Sequence, residues 1–405
     1  MIGIESPNGD MMSERAAMND LVKSRRLERS VTRGRPVAPA SARRGPPAIM
    51  ALLIGALMAW SLVGTSLAQA PDAPVLRYYS DDAELAQHLT TSQWRTPEDG
   101  YFDVLALSGG GPNGAFGAGV LSGWTERGDR PIFDHVTGVS TGALIAPFAF
   151  LGPDWDDELR TAYLDERTEG LMRRRLLAGL FSHSIFSGRP LLELVDSYVT
   201  QDLVDAVAAE SESGRTLIVV TTDLRQQRSV AWDMGAIARL GGEPARTLFR
   251  DVMLASASIP GVFPPVMIDT GSGDEMHVDG GIAAPIYAVP EALADRHGSV
   301  LGAASPLRIF MIANISVAPV TDDVEDGTVA ILQRSLATSG KASMRATLQM
   351  NAAAAERYGA EFRLISIPAG QSVPITDFAQ TSMQRLFDLG RQMGVDNDWR
   401  DRVIE

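Results

Sequence analysis

FDVLALSGGGPNGAFGAGVLSGW, residues 102–124, decides the reading of the rest of the chain. Phe102–Leu107 is an apolar, β-rich run, Ser108–Gly114 is a glycine-rich turn, and Ala115–Arg127 has the composition of a helix. Strand, tight turn and helix in that order open an α/β unit. Glycines leave N–H groups bare where the helix begins, and the helix dipole favours negative charge there. Such a loop holds an anion, either a phosphate or the oxyanion of acyl transfer. Gly109, Gly111 and Gly114 match the spacing of a dinucleotide loop. That loop wants an acidic residue ending the second strand, whereas Asp129 and Asp134 precede that strand and a serine ends it. A Walker loop needs lysine after its last glycine, and Ala115 stands there.

The second unit repeats the pattern with different chemistry. The strand His135–Val139 runs into Gly138-Val139-Ser140-Thr141-Gly142, and a helical run continues to Leu151. A G-x-S-x-G turn between strand and helix exposes its serine above the sheet edge, and the glycines relieve crowding. Further strand-like runs lie at Leu217–Thr221, Val230–Trp232, Arg308–Ile315 and Phe362–Ile367. Helical runs lie at Ala245–Ala255, Val329–Tyr358 and Thr381–Met393. The alternation predicts an α/β sandwich with a largely parallel sheet.

A serine hydroxyl needs a proton acceptor before it attacks anything. A histidine held by a carboxylate is one solution. Among the five histidines, His297 in ADRHGS is the one placed for a Ser–Asp–His order. The other solution is Asp279 acting directly, from Met276-His277-Val278-Asp279-Gly280-Gly281 at the end of a short strand. Burial would raise a carboxylate from its ordinary pKa of about 3.9 and make it a better base. His277 reads as an ordinary side chain on the strand's other phase. The histidines lack H-E-x-x-H spacing and there is no cysteine, so thiolate chemistry is excluded and a metal site has little support.

Taken together, the glycine loop, the elbow, Ala255-Ser256-Ala257-Ser258-Ile259-Pro260-Gly261-Val262-Phe263-Pro264 and the Asp279-Gly280-Gly281 triplet resemble the patatin-like phospholipase family, in the family's order, from about Tyr101 to Met393. The resemblance implies a three-layer α/β/α sandwich with a largely parallel central sheet. It implies lipid acyl ester hydrolysis by a Ser–Asp dyad without metal or cofactor, with phospholipid or another acyl-ester lipid as substrate and a membrane surface as partner. Ser140 maps to the nucleophile, Asp279 to the proton acceptor, and Gly109, Gly110 and Gly111, with Asn113 and Gly114, to the oxyanion loop. Gly138, Thr141, Gly142, Gly280 and Gly281 support elbow and dyad. Many members carry arginine where this chain has Asn113, whose amide is still able to donate a hydrogen bond. Acyl transfer on the same dyad, and lipid binding without turnover, are the alternatives.

The 405 residues carry a formal net charge of -14, which argues against nucleic acid as a partner. Residues 1–46 are polar, arginine-rich and expected to be disordered. Residues 47–68 contain the apolar run Ala48–Leu67 behind Arg43 and Arg44, the pattern of a signal peptide or signal anchor. Export across the inner membrane follows as an expectation, with the catalytic part outside the cytoplasm. Residues 69–98 read as a linker and docking segment, 99–396 as the catalytic domain and 397–405 as a tail. Arg173–Phe181, RRRLLAGLF, sets cations beside bulky apolar residues and is a candidate for resting on lipid headgroups.

Overall fold

A computed structural model describes residues 76–91, 95–97, 99–165, 188–271, 273–288, 306–319, 321, 324 and 326–403. The sheet grows from the strand predicted to open it. β2 (Phe102–Leu107) lies between β3 (His135–Val139) and β8 (Leu307–Ala313), parallel to both. β4 (Thr216–Asp223) continues the parallel set beyond β3, and β9 (Glu361–Ser366) continues it beyond β8. β5 (Arg228–Asp233) returns antiparallel on β4, and β1 (Arg77–Tyr79) pairs antiparallel with β5. The order is β1-β5-β4-β3-β2-β8-β9. β7 (Asp274–Asp279) pairs with β4 and with β6 (Val266–Asp269).

Every residue of β2, β3 and β4 is buried, which is why these strands read as continuous apolar runs. Alternation along β2 feeds two cores. Leu105 and Leu107 join Phe116 and Phe387, from α2 (Gly114–Arg127) and α10 (Gln380–Asp396). Val104 and Ala106 join Met344 and Leu348 of α9 (Thr328–Tyr358). Helices thus cover both faces of a mainly parallel sheet, the three-layer arrangement that the sequence implied. Within residues 69–98, β1 joins the sheet, and α1 (Ala83–Thr91) sets Leu85 and Leu89 against Val139 and Val220.

Opposite ends of the parallel strands carry different chemistry. At the N-terminal ends, Arg95 bonds the Asp134 carboxylate at 2.6 Å, and Asp134 accepts the Asp103 N–H at 2.8 Å. Asp103 is held by two 2.5 Å bonds from Arg308, which also reaches Asp99 at 2.6 Å. The C-terminal ends carry the glycine loop and the serine elbow. Among the described residues no helix is long and apolar enough to cross a membrane. Ala48–Leu67, Arg173–Phe181 and His297 lie outside the described residues.

Candidate active site

Ser140 sits between β3 and α3 (Thr141–Leu151) with φ 55° and ψ −124°. A non-glycine residue held there costs about 1–3 kcal/mol, so its surroundings must over-determine it. They do. Its carbonyl accepts the Ala143 N–H at 2.9 Å and so starts the helix, while its own N–H donates to Ser256 Oγ at 2.9 Å. Ser256, at the end of α8 (Gly242–Ser256), in turn donates to Val220 O at 2.7 Å. Gly142 must lack a side chain, since a Cβ there would lie 2.3 Å from Leu107 O. Gly138 passes 2.5 Å from Gly142 O by the same measure.

The backbone holds the elbow and leaves the hydroxyl free to act. Ser140 Oγ donates to Asp279 Oδ2 at 2.5 Å, and the pair comes from positions 139 residues apart. Asp279 ends β7, where its N–H is fixed by Ser258 O at 2.9 Å and its second carboxylate oxygen accepts Gly281 N–H at 2.7 Å. Gly280 packs against Val220 O and Thr222 Oγ1 donates to Asp279 O. Burial raises the Asp279 carboxyl to about 6, and the bonds from Ser140 and Gly281 only partly offset it.

His277 belongs elsewhere. Its two-residue spacing from Asp279 gives both the same strand phase, not opposite ones as expected. Its ring nitrogens nevertheless face Thr221 Oγ1 at 3.0 Å and Glu275 Oε2 at 3.2 Å, with the Trp232 ring against it. Burial pushes its pKa below the ordinary imidazole value, against the opposing pull of Glu275.

The glycine loop reaches the serine from β2. Gly109 lies against Ser140, but its N–H donates to Pro285 O at 3.1 Å. Gly110 and Gly111 keep N–H groups with no acceptor among the described residues. A Cβ on Gly110 would fall 2.2 Å from Asn314 O. Asn314 clasps the loop's root, donating through its backbone to Ser108 Oγ and through its amide to Ser108 O, both at 2.8 Å. Asn113 is buried and spends its side chain on structure. The amide donates to Gly110 O and to Val373 O at 2.9 Å, while its oxygen accepts Val373 N–H at 2.8 Å. It is a latch to the segment beyond β9, not a donor aimed at the serine. Gly114 begins α2 beside Thr141, whose hydroxyl pairs with Tyr163 OH at 2.6 Å. Ser256, Asn314 and Tyr163 carried no signal as single residues, because their partners are distant in sequence.

An apolar cavity of about 70 Å³ opens beside Ser140, walled by Leu144, Phe148, Leu191, Val195, Met253 and Phe263. The Ser140 hydroxyl, the Asp279 carboxylate, the glycine loop and an apolar cleft thus meet at one edge of the sheet. Residues 105–290, which hold the serine, the carboxylate, the loop and most of the cleft wall, match the model of the patatin-like phospholipase family. A calcium-independent phospholipase A2-gamma from Oryctolagus cuniculus is 24% identical over 249 residues, covering 56% of this chain and 29% of that protein. The chain therefore spans less than a third of that relative's length. The crystal structure of VipD from Legionella pneumophila aligns over 78% of this chain and 73% of its own, at 12% identity and a TM-score of 0.32, too loosely to bear on the fold. Residues 105–290 of this chain form a patatin-like phospholipase domain.

Proposed function

We propose that the chain is a lipid acyl hydrolase in which Ser140 is the nucleophile and Asp279 the proton acceptor. The observation that carries this reading is the 2.5 Å Ser140–Asp279 bond at the mouth of an apolar cavity. Ser140 Oγ forms a bond to the ester carbonyl carbon as its proton passes to Asp279 Oδ2. The oxyanion rests on the N–H groups of Gly110 and Gly111. Collapse breaks the bond to the alcohol, which leaves with the proton held by Asp279. Water then repeats the sequence on the acyl-serine, with Asp279 again taking the proton. The acyl chain occupies the cavity, where polar atoms are scarce. A phospholipid or a related acyl-ester lipid is the substrate, presented at a membrane surface.

The family match and the phospholipase relative support lipid ester chemistry, and the carboxylate raised to about 6 supports a base working near neutral pH. The dyad needs no metal, so chelators should leave the rate unchanged, and a loss restored by added metal would contradict it. The direct test is a lipid panel digested by the purified protein and by Ser140→Ala, with release of free fatty acid as readout. Fatty acid released equally by both proteins would sink the assignment. A competing alcohol separates hydrolysis from transfer through its ester product. The run Ala48–Leu67 further supports placing the domain outside the cytoplasm. A reporter after Glu405 that works only in an exported compartment should be active, and activity of a cytoplasm-only reporter there would refute it.

A further inference from the structure

α3 supplies one continuous stripe of the cleft wall. Ser140, Thr141, Leu144 and Phe148 all line the cavity. Steps of three and four residues from Thr141 onward keep them on one face of the helix. The serine stands at one end of that stripe, where Gly111 joins the lining, and Phe148 stands at the other. Eight residues separate them, a rise of about 12 Å. The lining stops there, because Leu151, the next position on the same face, does not reach the cavity. The Phe148 ring is 3% exposed and has the Trp155 ring against it, with 6.4 Å between centroids. Side chains on a helix lean toward its N-terminus, so this ring leans back toward Ser140.

A second helix, α5 (Arg189–Tyr198), lines the cleft over a similar length. Its lining positions run from Leu191 to Tyr198, a rise of about 10 Å. The hydroxyls in the wall are already engaged. Those of Thr141 and Tyr163 bond each other at 2.6 Å, and Tyr163 OH also donates to Thr141 O at 2.9 Å. Tyr198 OH donates to Asp165 Oδ2 at 2.9 Å. A polar group on a bound chain would meet hydroxyl protons already donated within the protein and would lose its water. Plain hydrocarbon has no such water to lose.

We infer that the cleft is a gauge of acyl length, taking a plain alkyl chain of about eight to ten carbons with Phe148 as its stop. An extended chain of that size is about as long as the helix rise from Ser140 to Phe148. The inference rests on the hydrolase reading of Ser140 and deepens it by naming the acyl class. A longer chain leaves methylenes in water, and each one forfeits its transfer free energy. The test is a ladder of p-nitrophenyl esters from butyrate to palmitate, held in the same mixed detergent micelles and given to the full chain, with kcat/KM as readout. Wild type should peak at about eight to ten carbons and fall at least about tenfold by palmitate. Phe148→Ala should move the peak to longer chains and raise the palmitate-to-octanoate ratio at least about tenfold. Leu144→Phe, one turn from the serine, should move the peak to about four to six carbons and lower the octanoate-to-butyrate ratio by a similar factor, about tenfold. Ratios taken within one protein do not move when its folded fraction falls. Leu144→Phe fills space instead of opening it, and it carries the test if loss of the Phe148 ring unfolds the chain. Hydrolysis by wild type no faster than by Ser140→Ala on every ester would overturn the hydrolase reading and the gauge together. Hydrolysis that needs Ser140 but is flat in chain length, or a ratio that either substitution leaves where it was in a folded protein, would overturn the gauge alone.

Discussion

Asp103 and Asp279 are both buried at ends of strands, and burial raises both carboxyls to about 6. Their surroundings differ in one respect. Asp103 faces the Arg308 guanidinium through two bonds, at the end of the sheet away from the elbow. Asp279 faces a hydroxyl and one amide, and no cation among the described residues. A raised pKa therefore does not mark a working site here; the partner set does. Asp103 has found its counter-charge and closes a structural network. Asp279 lacks one among the described residues, so in the proposed mechanism a proton arriving from Ser140 would relieve the cost of its burial.

Substitutions should separate the two ends by effect. The largest loss is expected at Ser140→Ala, which should lower ester turnover by at least about 10⁴-fold with the melting temperature nearly unchanged. Asp279→Asn should cost about 10³-fold or more in kcat. Asp103→Asn should leave kcat within about twofold, yet lower stability by about 2–4 kcal/mol, because Arg308 keeps its charge and loses its main partner. Denaturant unfolding beside steady-state kinetics checks all three. If Asp103→Asn abolished turnover in a folded protein, the contrast would fail.

Stability should respond in the opposite direction at Asp279. A carboxyl whose pKa is higher folded than unfolded binds its proton more tightly in the native state. Its contribution is fully present below about 4 and is lost as pH rises through about 6. Two units correspond to about 3 kcal/mol, so Asp279→Asn should stabilise the fold at pH 7 by up to that amount and by little at pH 4. For Asp103 the same loss is returned by Arg308, whose proton is held more tightly by the contact. Melting curves of both variants at the two pH values decide this. A destabilised Asp279→Asn at pH 7 would mean that the carboxylate is not held against its charge.

An intermediate catalytic effect sharpens the account of the elbow. Ser256→Ala removes the acceptor for Ser140 N–H and the donor to Val220 O. It should lower kcat by about 10–100-fold, leave KM nearly unchanged and cost about 1–3 kcal/mol of stability. A wild-type kcat in that variant would show that the strained turn is held without it.

Much of this was legible from the chain. The runs at Phe102–Leu107 and His135–Val139 coincide with observed strands, and α9 and α10 start and stop within a few residues of their predicted limits. Buried parallel strands and glycine turns leave strong local marks. The glycine loop, Ser140 and Asp279 were each visible for the same reason, because local motifs announce them. What stayed hidden depends on contacts across the sheet. Nothing near Gly109 says that Pro285 takes its N–H, and nothing near Asn113 says that Val373 takes its amide. Ser256 looked like one small residue among several in ASAS, although it grips the elbow 116 positions away.

The central claim is that Asp279, not a histidine, accepts the proton of Ser140. It is tested most directly by the rate at which a fluorophosphonate labels the protein as pH is varied, with the adduct located by peptide mass. The account predicts a single adduct on Ser140, a labelling rate that rises through about pH 6 and then levels, and a rate at least about 10³-fold lower and flat with pH in Asp279→Asn. His277→Ala and His297→Ala should label like the wild type. Wild-type labelling in Asp279→Asn, or loss of labelling in a folded His297→Ala, would contradict it.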